Sequence, residues 1–279
     1  MNLEMMRLSL WPLGNMAAPE AIVSGKPLSR ETWLRDVFGR SIEFDYKGRK
    51  YHFVPTLDEI PAPFVAGRIG LLSRVLENEP PDHGLEDTVR DRWKAVAVLL
   101  DPRAHEDGQK VAVEFGTGVA KPFPIFSSLI RHINGQLGPY AIEVKPITAA
   151  SSFWDFVQKN EGQVVSVTFE FLAPNMFGIV DDMDKEANDL KKYENAKSAS
   201  LKIESNEGLN LHTKRVEQTV NYTTRGGGNI KARARHDDFN SDRTATRVRV
   251  PEDPIGEAET PVSLRSRIAR ALRYVFLND

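Results

Sequence analysis

Apolar and polar residues alternate along this chain at two periods. Ile42, Phe44 and Tyr46 alternate with Glu43 and Asp45, and Tyr51 and Phe53 resume the alternation after Lys47-Gly48. This predicts a β-hairpin over Ser41–Phe53. Further strands are predicted at AVAVLL (Ala95–Leu100), QKVAVEF from Gln109, PYAIEVKPI (Pro139–Ile147) and QVVSVTFEFL (Gln163–Leu172). The last sets Val165, Val167, Phe169 and Phe171 on one face. Helical spacing joins Phe126, Leu129, Ile130, Ile133 and Leu137. A short helix with Trp33, Leu34, Val37 and Phe38 is capped by Ser29 and ended by Gly39. Another covers SSFWDFVQKN, starting at Ser151 or Ser152, with Phe153 and Trp154 assigned to the core.

After Gly178 the character changes. Asp181–Lys197 is highly charged and reads as an exposed helix, ASLKI reads as a strand, and Val216 and Val220 mark a helical segment running up to three glycines. In the tail, Leu264, Ile268, Leu272, Val275 and Phe276 form the apolar stripe of an amphipathic helix. ENEPPDHGLED (Glu77–Asp87) reads as a linker. The predicted class is α+β: a mixed sheet core with helices, plus a C-terminal basic β-hairpin and an amphipathic helix. Three segments follow: residues 1–80 with the first hairpin, a central sheet domain over 90–178, and 179–279 with the charged helix, basic ribbon and terminal helix.

Composition narrows the chemistry. Of 279 residues, 41% are hydrophobic and 27% charged, which excludes wholesale disorder. Without cysteine there is no disulfide, zinc-thiolate site or thiol nucleophile, which suits a reducing cytoplasm. The first residues faintly resemble a signal peptide, but Glu4, Pro12, Gly14 and Asn15 interrupt the pattern. A membrane span needs about 20 apolar residues, so the expectation is a soluble, cytoplasmic protein without direct membrane insertion. Residues 225–279 hold eleven Lys or Arg against eight Asp or Glu, a net +3. The whole chain is at −2, so the rest carries −5.

That basic region holds the main candidate. RGGGNIKAR lacks the spacing of a phosphate loop, so Gly226–Gly228 is expected to be a mobile hinge without nucleotide. Beyond it Lys231, Arg233 and Arg235 are odd-numbered, as are Arg243, Arg247 and Arg249, while Ile230, Ala232, Ala234, Val248 and Val250 are even. Paired through a turn at DDFNSD, the two runs place six cations on one side of a ribbon. Like charges opposed across strands repel unless a polyanion supplies countercharge. An ordinary solvated face is the competing explanation. Arg225 precedes the glycines, and Arg267, Arg270 and Arg273 on the outer side of the last helix offer further phosphate contacts.

A nuclease alternative rests on Glu143-x-Lys145, with Asp101 or Asp107 as the first-half carboxylate and Glu114 as an added ligand. The intervening helix and Pro146 count against it. The six histidines include no zinc-type i, i+4 pair, and no G-x-S-x-G elbow occurs. No catalytic residue, metal or cofactor is expected.

YAIEVKPITAASSFWDFVQKNEGQVVSVTFEFLAPN runs from a strand ending in Pro, through a polar turn and short helix, to a second alternating strand ending in Pro. With the preceding KVAVE strand and helix, it resembles the RexA-type proteins of prophage exclusion, and more distantly the KwaB component of Kiwa defence systems. The resemblance covers about residues 95–200. It implies DNA as ligand, a homodimer, a membrane-protein partner and no catalytic residues. The first functional expectation is a non-enzymatic, largely sequence-independent DNA-binding sensor or effector of anti-phage defence. The alternatives are a metal-dependent nuclease and a structural or assembly protein.

Overall fold

The computed structural model describes residues 1–13, 20–56, 60–105, 108–136, 138–172, 189, 193, 196–251 and 264–277. The first strand, β1 (Asn2–Pro12), organises the larger of two main antiparallel sheets. Met6, Leu8 and Leu10 face one apolar cluster and Leu3 and Met5 another, so both faces of β1 are covered. One edge pairs with β8 (Gln109–Glu114). The other is shared by β9 (Tyr140–Pro146), which pairs from Met6 onward, and β14 (Arg247–Arg249), which fills residues 2–4. The sheet continues through β7 (Asp87–Asp101), β6 (Val65–Asn78), β5 (Arg49–Pro55) and β4 (Ile42–Tyr46), and a separate small hairpin joins β2 (Ala21–Val23) to β3 (Lys26–Leu28).

Among the described residues, three helices cover this sheet. Helices α1 (Arg30–Phe38) and α2 (Pro122–Gly135) lie on one face, burying Trp33, Leu34, Phe38, Phe126 and Leu129 against it. Ser29 accepts a hydrogen bond from the Thr32 N–H, and Gly39 ends α1, as the sequence predicts. The last helix, α5 (Leu264–Phe276), packs Ile268, Leu272, Val275 and Phe276 on the opposite face, with Phe276 stacked on Phe64 at 5.6 Å.

The second sheet has the order β11 (Ser198–Glu204), β10 (Val164–Leu172), β12 (Gly228–Ala234), β13 (Asp238–Asn240). Val167, Phe169, Phe171, Ile230 and Ala232 bury one face under α3 (Ala150–Lys159) and α4 (Lys214–Tyr222). A bulge between Val164 and Ser166 moves Val165 off the expected stripe. Helix α3 begins at Ala150 with no side-chain cap, in place of a serine cap.

Three expectations are corrected. The linker at Glu77–Asp87 is a hairpin tip: β6 and β7 pair continuously from Val65↔Leu100 to Asn78↔Asp87. Strands from residues 1–80 and 90–178 therefore share one sheet. The glycines are no hinge. Gly226 lies against Arg7 at a φ of +81°, where an added Cβ would stand 2.5 Å from the Arg7 Cβ. Gly227 packs on Tyr222, and a Cβ at Gly228 would overlap the Glu170 carbonyl oxygen. Glycine is required there by close backbone approach. The charged helix expected over Asp181–Lys197 lies largely outside the described residues.

The arm formed by β6 and β7 outruns its neighbours. Strand β5 pairs with β6 only as far as Gly70, and β8 reaches only Val98 on β7. Beyond, Leu72 opposes Trp93 and Leu76 opposes Val89, with Arg74 and Asp91 paired between them at 3.6 Å. Trp93 is 62% exposed and Val89 64%. A two-stranded ribbon thus exists, though far from the segment where the sequence pattern places one.

Candidate nucleic-acid interface

The six-cation ribbon does not form, because its halves belong to different sheets. Lys231 and Arg233 lie on β12, which pairs with β10 and with the short return strand β13. Arg247 and Arg249 lie on β14, drawn to the length of β1 that β9 leaves open. The chain crosses between sheets over 241–246. Ser241 is buried there, donating to Asn229 Oδ1 and accepting from the Ile230 N–H. The Thr246 N–H then donates to the Ile147 carbonyl and the Met5 N–H to that of Thr246.

On the second sheet the cations are matched in part. Lys231 Nζ lies 2.6 Å from Glu170. Arg233 stands across from Asp238, which also pairs with Arg243 at 3.4 Å. Arg225 Nε donates to the Asn221 carbonyl, and Arg235 is exposed at the strand end. Alternation correctly put Lys231, Arg233 and Arg235 on the outer face, where Glu170 on β10 meets Lys231 and Asp238 on β13 stands opposite Arg233. The face is solvated and matched in part, with Arg233 and Arg235 in no ion pair among the described residues.

A different group converges at the end of the larger sheet. Arg249 on β14 and Arg267 on α5 line one concavity of about 620 Å³, together with Asn2, Glu114 and Phe115. Beside it the Arg247 guanidinium sits over the Phe115 ring at 5.0 Å, a cation–π contact that holds it in place. Arg267 is 3.9 Å from Glu114, whose other oxygen accepts the Ala97 N–H at 2.9 Å. Opposite Arg247, burial raises the Glu4 carboxyl above its ordinary range, against the Phe123 N–H and the charges of Arg247 and Lys121. Arg249 has no ion pair among the described residues. Arg270 and Arg273 follow on α5, half-buried and exposed respectively. The rim presents three guanidinium groups from two elements, suited to phosphate oxygens.

Among the described residues the nuclease constellation is not assembled. Asp101 is separated from Lys145 by two strands, through the register Asp101↔Lys110, Lys110↔Arg7 and Arg7↔Lys145, so about 14 Å at the usual strand spacing. Asp101 is fully buried and bound by Arg103 and His105. Glu114 is engaged by the Ala97 N–H, and Asp107 lies outside the described residues. Glu143 contacts Lys145 at 4.0 Å and Lys197 at 3.4 Å. Asp242 comes near this pair, its carboxyl raised by burial, with one oxygen unpaired. No group of three or more potential metal ligands occurs among the described residues.

Burial would raise the Asp101 carboxyl, but hydrogen bonds from Arg103 and His105 hold it below its ordinary range. A depressed folded pKa contributes stability above the unfolded value of about 3.9, lost as pH falls through the folded one. Asp101→Asn should cost about 2 kcal/mol at neutral pH. The deficit relative to wild type should shrink below about pH 4. Thermal melts across pH measure both; a deficit constant with pH would contradict this account.

Phe115 was missed by sequence reasoning and Glu114 was singled out only as a metal-binding carboxylate, since only their meeting with β14 and α5 gives them a place at the rim. Trp154, assigned to the core with Phe153, is half-buried and packs against the second core at its edge. No protein-family model, curated protein or solved structure matches the chain. Among the described residues, no helix is long and apolar enough to cross a membrane.

Proposed function

We propose that this protein binds nucleic acid, with DNA favoured, through phosphate contacts made by Arg247, Arg249 and Arg267 and extended along α5 by Arg270 and Arg273. The observation that carries the reading is the convergence of Arg249 and Arg267, from a strand and a helix, on one concavity beside the stacked Arg247. Contacts of this kind position a polyanion without selecting bases. The test is a gel-shift series with single- and double-stranded DNA and RNA, with and without Mg²⁺. Binding unchanged by Mg²⁺, with no cleavage, is expected; Mg²⁺-dependent cleavage would overturn it in favour of the nuclease. A cytoplasmic setting is part of the proposal. The anti-phage role and a membrane-protein partner rest on the strand-order resemblance alone.

The exposed arm favours a homodimer within this reading. Residues 71–97 hold four Lys or Arg against six Asp or Glu, so the arm suits a protein surface better than a polyanion. Its apolar pairs Leu72–Trp93 and Leu76–Val89 flank the Arg74–Asp91 pair. Two arms facing across a two-fold axis bring Arg74 of one copy toward Asp91 of the other. Trp93→Asp should convert a dimer to a monomer in light scattering after size exclusion. A monomeric wild type would refute the dimer and leave the phosphate rim standing.

A further inference from the structure

A second concavity, of about 730 Å³, lies between α3 and the start of α4, away from the arginine rim. Its walls are Trp154, Gln158 and Glu161 on one side and His212, Lys214 and Glu217 on the other. The Trp154 and His212 rings stack at 5.6 Å with 19° between their planes. That separation leaves no room for a third ring between them, but an outer ring face can extend the stack.

The backbone of His212 is held by its neighbours. Leu211 is buried in the second core, the His212 N–H donates to Asn210 Oδ1, and Thr213 caps α4 by accepting from the Val216 N–H. The backbone that carries His212 beside Trp154 is therefore fixed. Around it, Gln158, Glu161, Lys214 and Glu217 make no side-chain hydrogen bond or ion pair among the described residues. The site offers a flat aromatic surface, an amide that donates and accepts, two carboxylates that accept from amines, and one cation. The volume is in the range of small-molecule sites, about 300–1,000 Å³.

We infer that this concavity binds a nucleobase with an exocyclic amine, stacked on the Trp154–His212 pair, with Lys214 directed to the attached phosphate. The base can come from a free nucleotide or from an unpaired position in a strand. Neither source depends on the arginine rim. Stacking on aromatic side chains tolerates any base. The preference arises because the exocyclic amine of adenine or cytosine can donate to Glu161 or Glu217, and uracil has none.

The test titrates AMP, CMP, UMP, adenosine and a ten-residue deoxyadenosine strand into the full chain. Calorimetry reads binding, and tryptophan quenching is followed in a Trp93→Phe background that removes the exposed indole of the arm. Saturable AMP and CMP binding at or below about 1 mM is expected, with UMP about tenfold weaker. His212→Ala, an exposed substitution, should weaken AMP about tenfold. Lys214→Ala should weaken AMP and leave adenosine unchanged. Binding of the mononucleotides alone identifies a free nucleotide as the ligand, and tighter binding of the strand identifies an unpaired base; either supports the site. No saturable signal from any probe, or His212→Ala binding equal to wild type in a variant of unchanged melting temperature, overturns it. Loss of AMP binding with DNA gel shifts intact would separate failure here from failure of the rim.

Discussion

Gly228→Ala is expected to destabilise the protein by about 3 kcal/mol, at the upper end of what overpacking costs, and to lower its melting temperature by roughly 6–12 °C. Gly228 pairs with Phe171 between β10 and β12, and its missing side chain leaves room for the Glu170 carbonyl. A methyl there must push apart two paired backbones, since the obstacle is main chain and not the end of a flexible side chain. Gly226 and Gly227 close on Arg7 and Tyr222 in the same turn, so little slack remains. Gly135, in α2, has open space where a Cβ would stand. Gly135→Ala should be neutral or stabilise by about 0.4–1 kcal/mol. Equal melting temperatures for Gly228→Ala and wild type would restore the hinge reading.

The largest functional effect is expected at the rim. Replacing Arg247, Arg249 and Arg267 together by Ala should remove three phosphate contacts. Each contact contributes about 0.9 to the dependence of log affinity on log salt. Three therefore account for a slope of about −2.7, or about fortyfold weakening between 0.05 and 0.2 M salt. The loss should be alike for all sequences, because phosphate contacts carry no base information. Folding should be little affected, since exposed substitutions usually cost within about 0.5 kcal/mol each. Arg247 stacks on a ring that is itself 45% exposed, and Arg267 holds Glu114 only at 3.9 Å.

Locally determined features were legible in the sequence. Lys47-Gly48 both adopt positive φ in the β4–β5 turn, and Ser29 and Gly39 bound α1 where the cap residues placed them. The stripes of α2, α4 and α5 are set by spacing within each helix, and the α+β class followed from these elements. What alternation cannot give is the partner of a strand. Lys231, Arg233 and Arg235 share a face, as period two requires, and so do Arg247 and Arg249. The choice of β10 for one run and β1 for the other is made by contacts more than 60 residues away in sequence for the first and nearly 250 for the second. The same limit hid the arm: Pro80-Pro81 and Gly84 read as a linker, but they turn a hairpin whose strands are too charged at their tips to show alternation.

The central claim is that the rim, and not the face of the second sheet, meets the phosphates. Fluorescence anisotropy of a labelled duplex over a salt series tests it, using wild type, the Arg247/Arg249/Arg267 triple-Ala variant and a Lys231→Ala/Arg233→Ala variant, with melting temperature as the control. The account predicts that the triple variant flattens the salt slope by about 2.7 while the Lys231/Arg233 variant stays within about twofold of wild type, because Lys231 is already paired with Glu170 and Arg233 faces Asp238. An unchanged slope in the triple variant, or a loss confined to the Lys231/Arg233 variant, would contradict it.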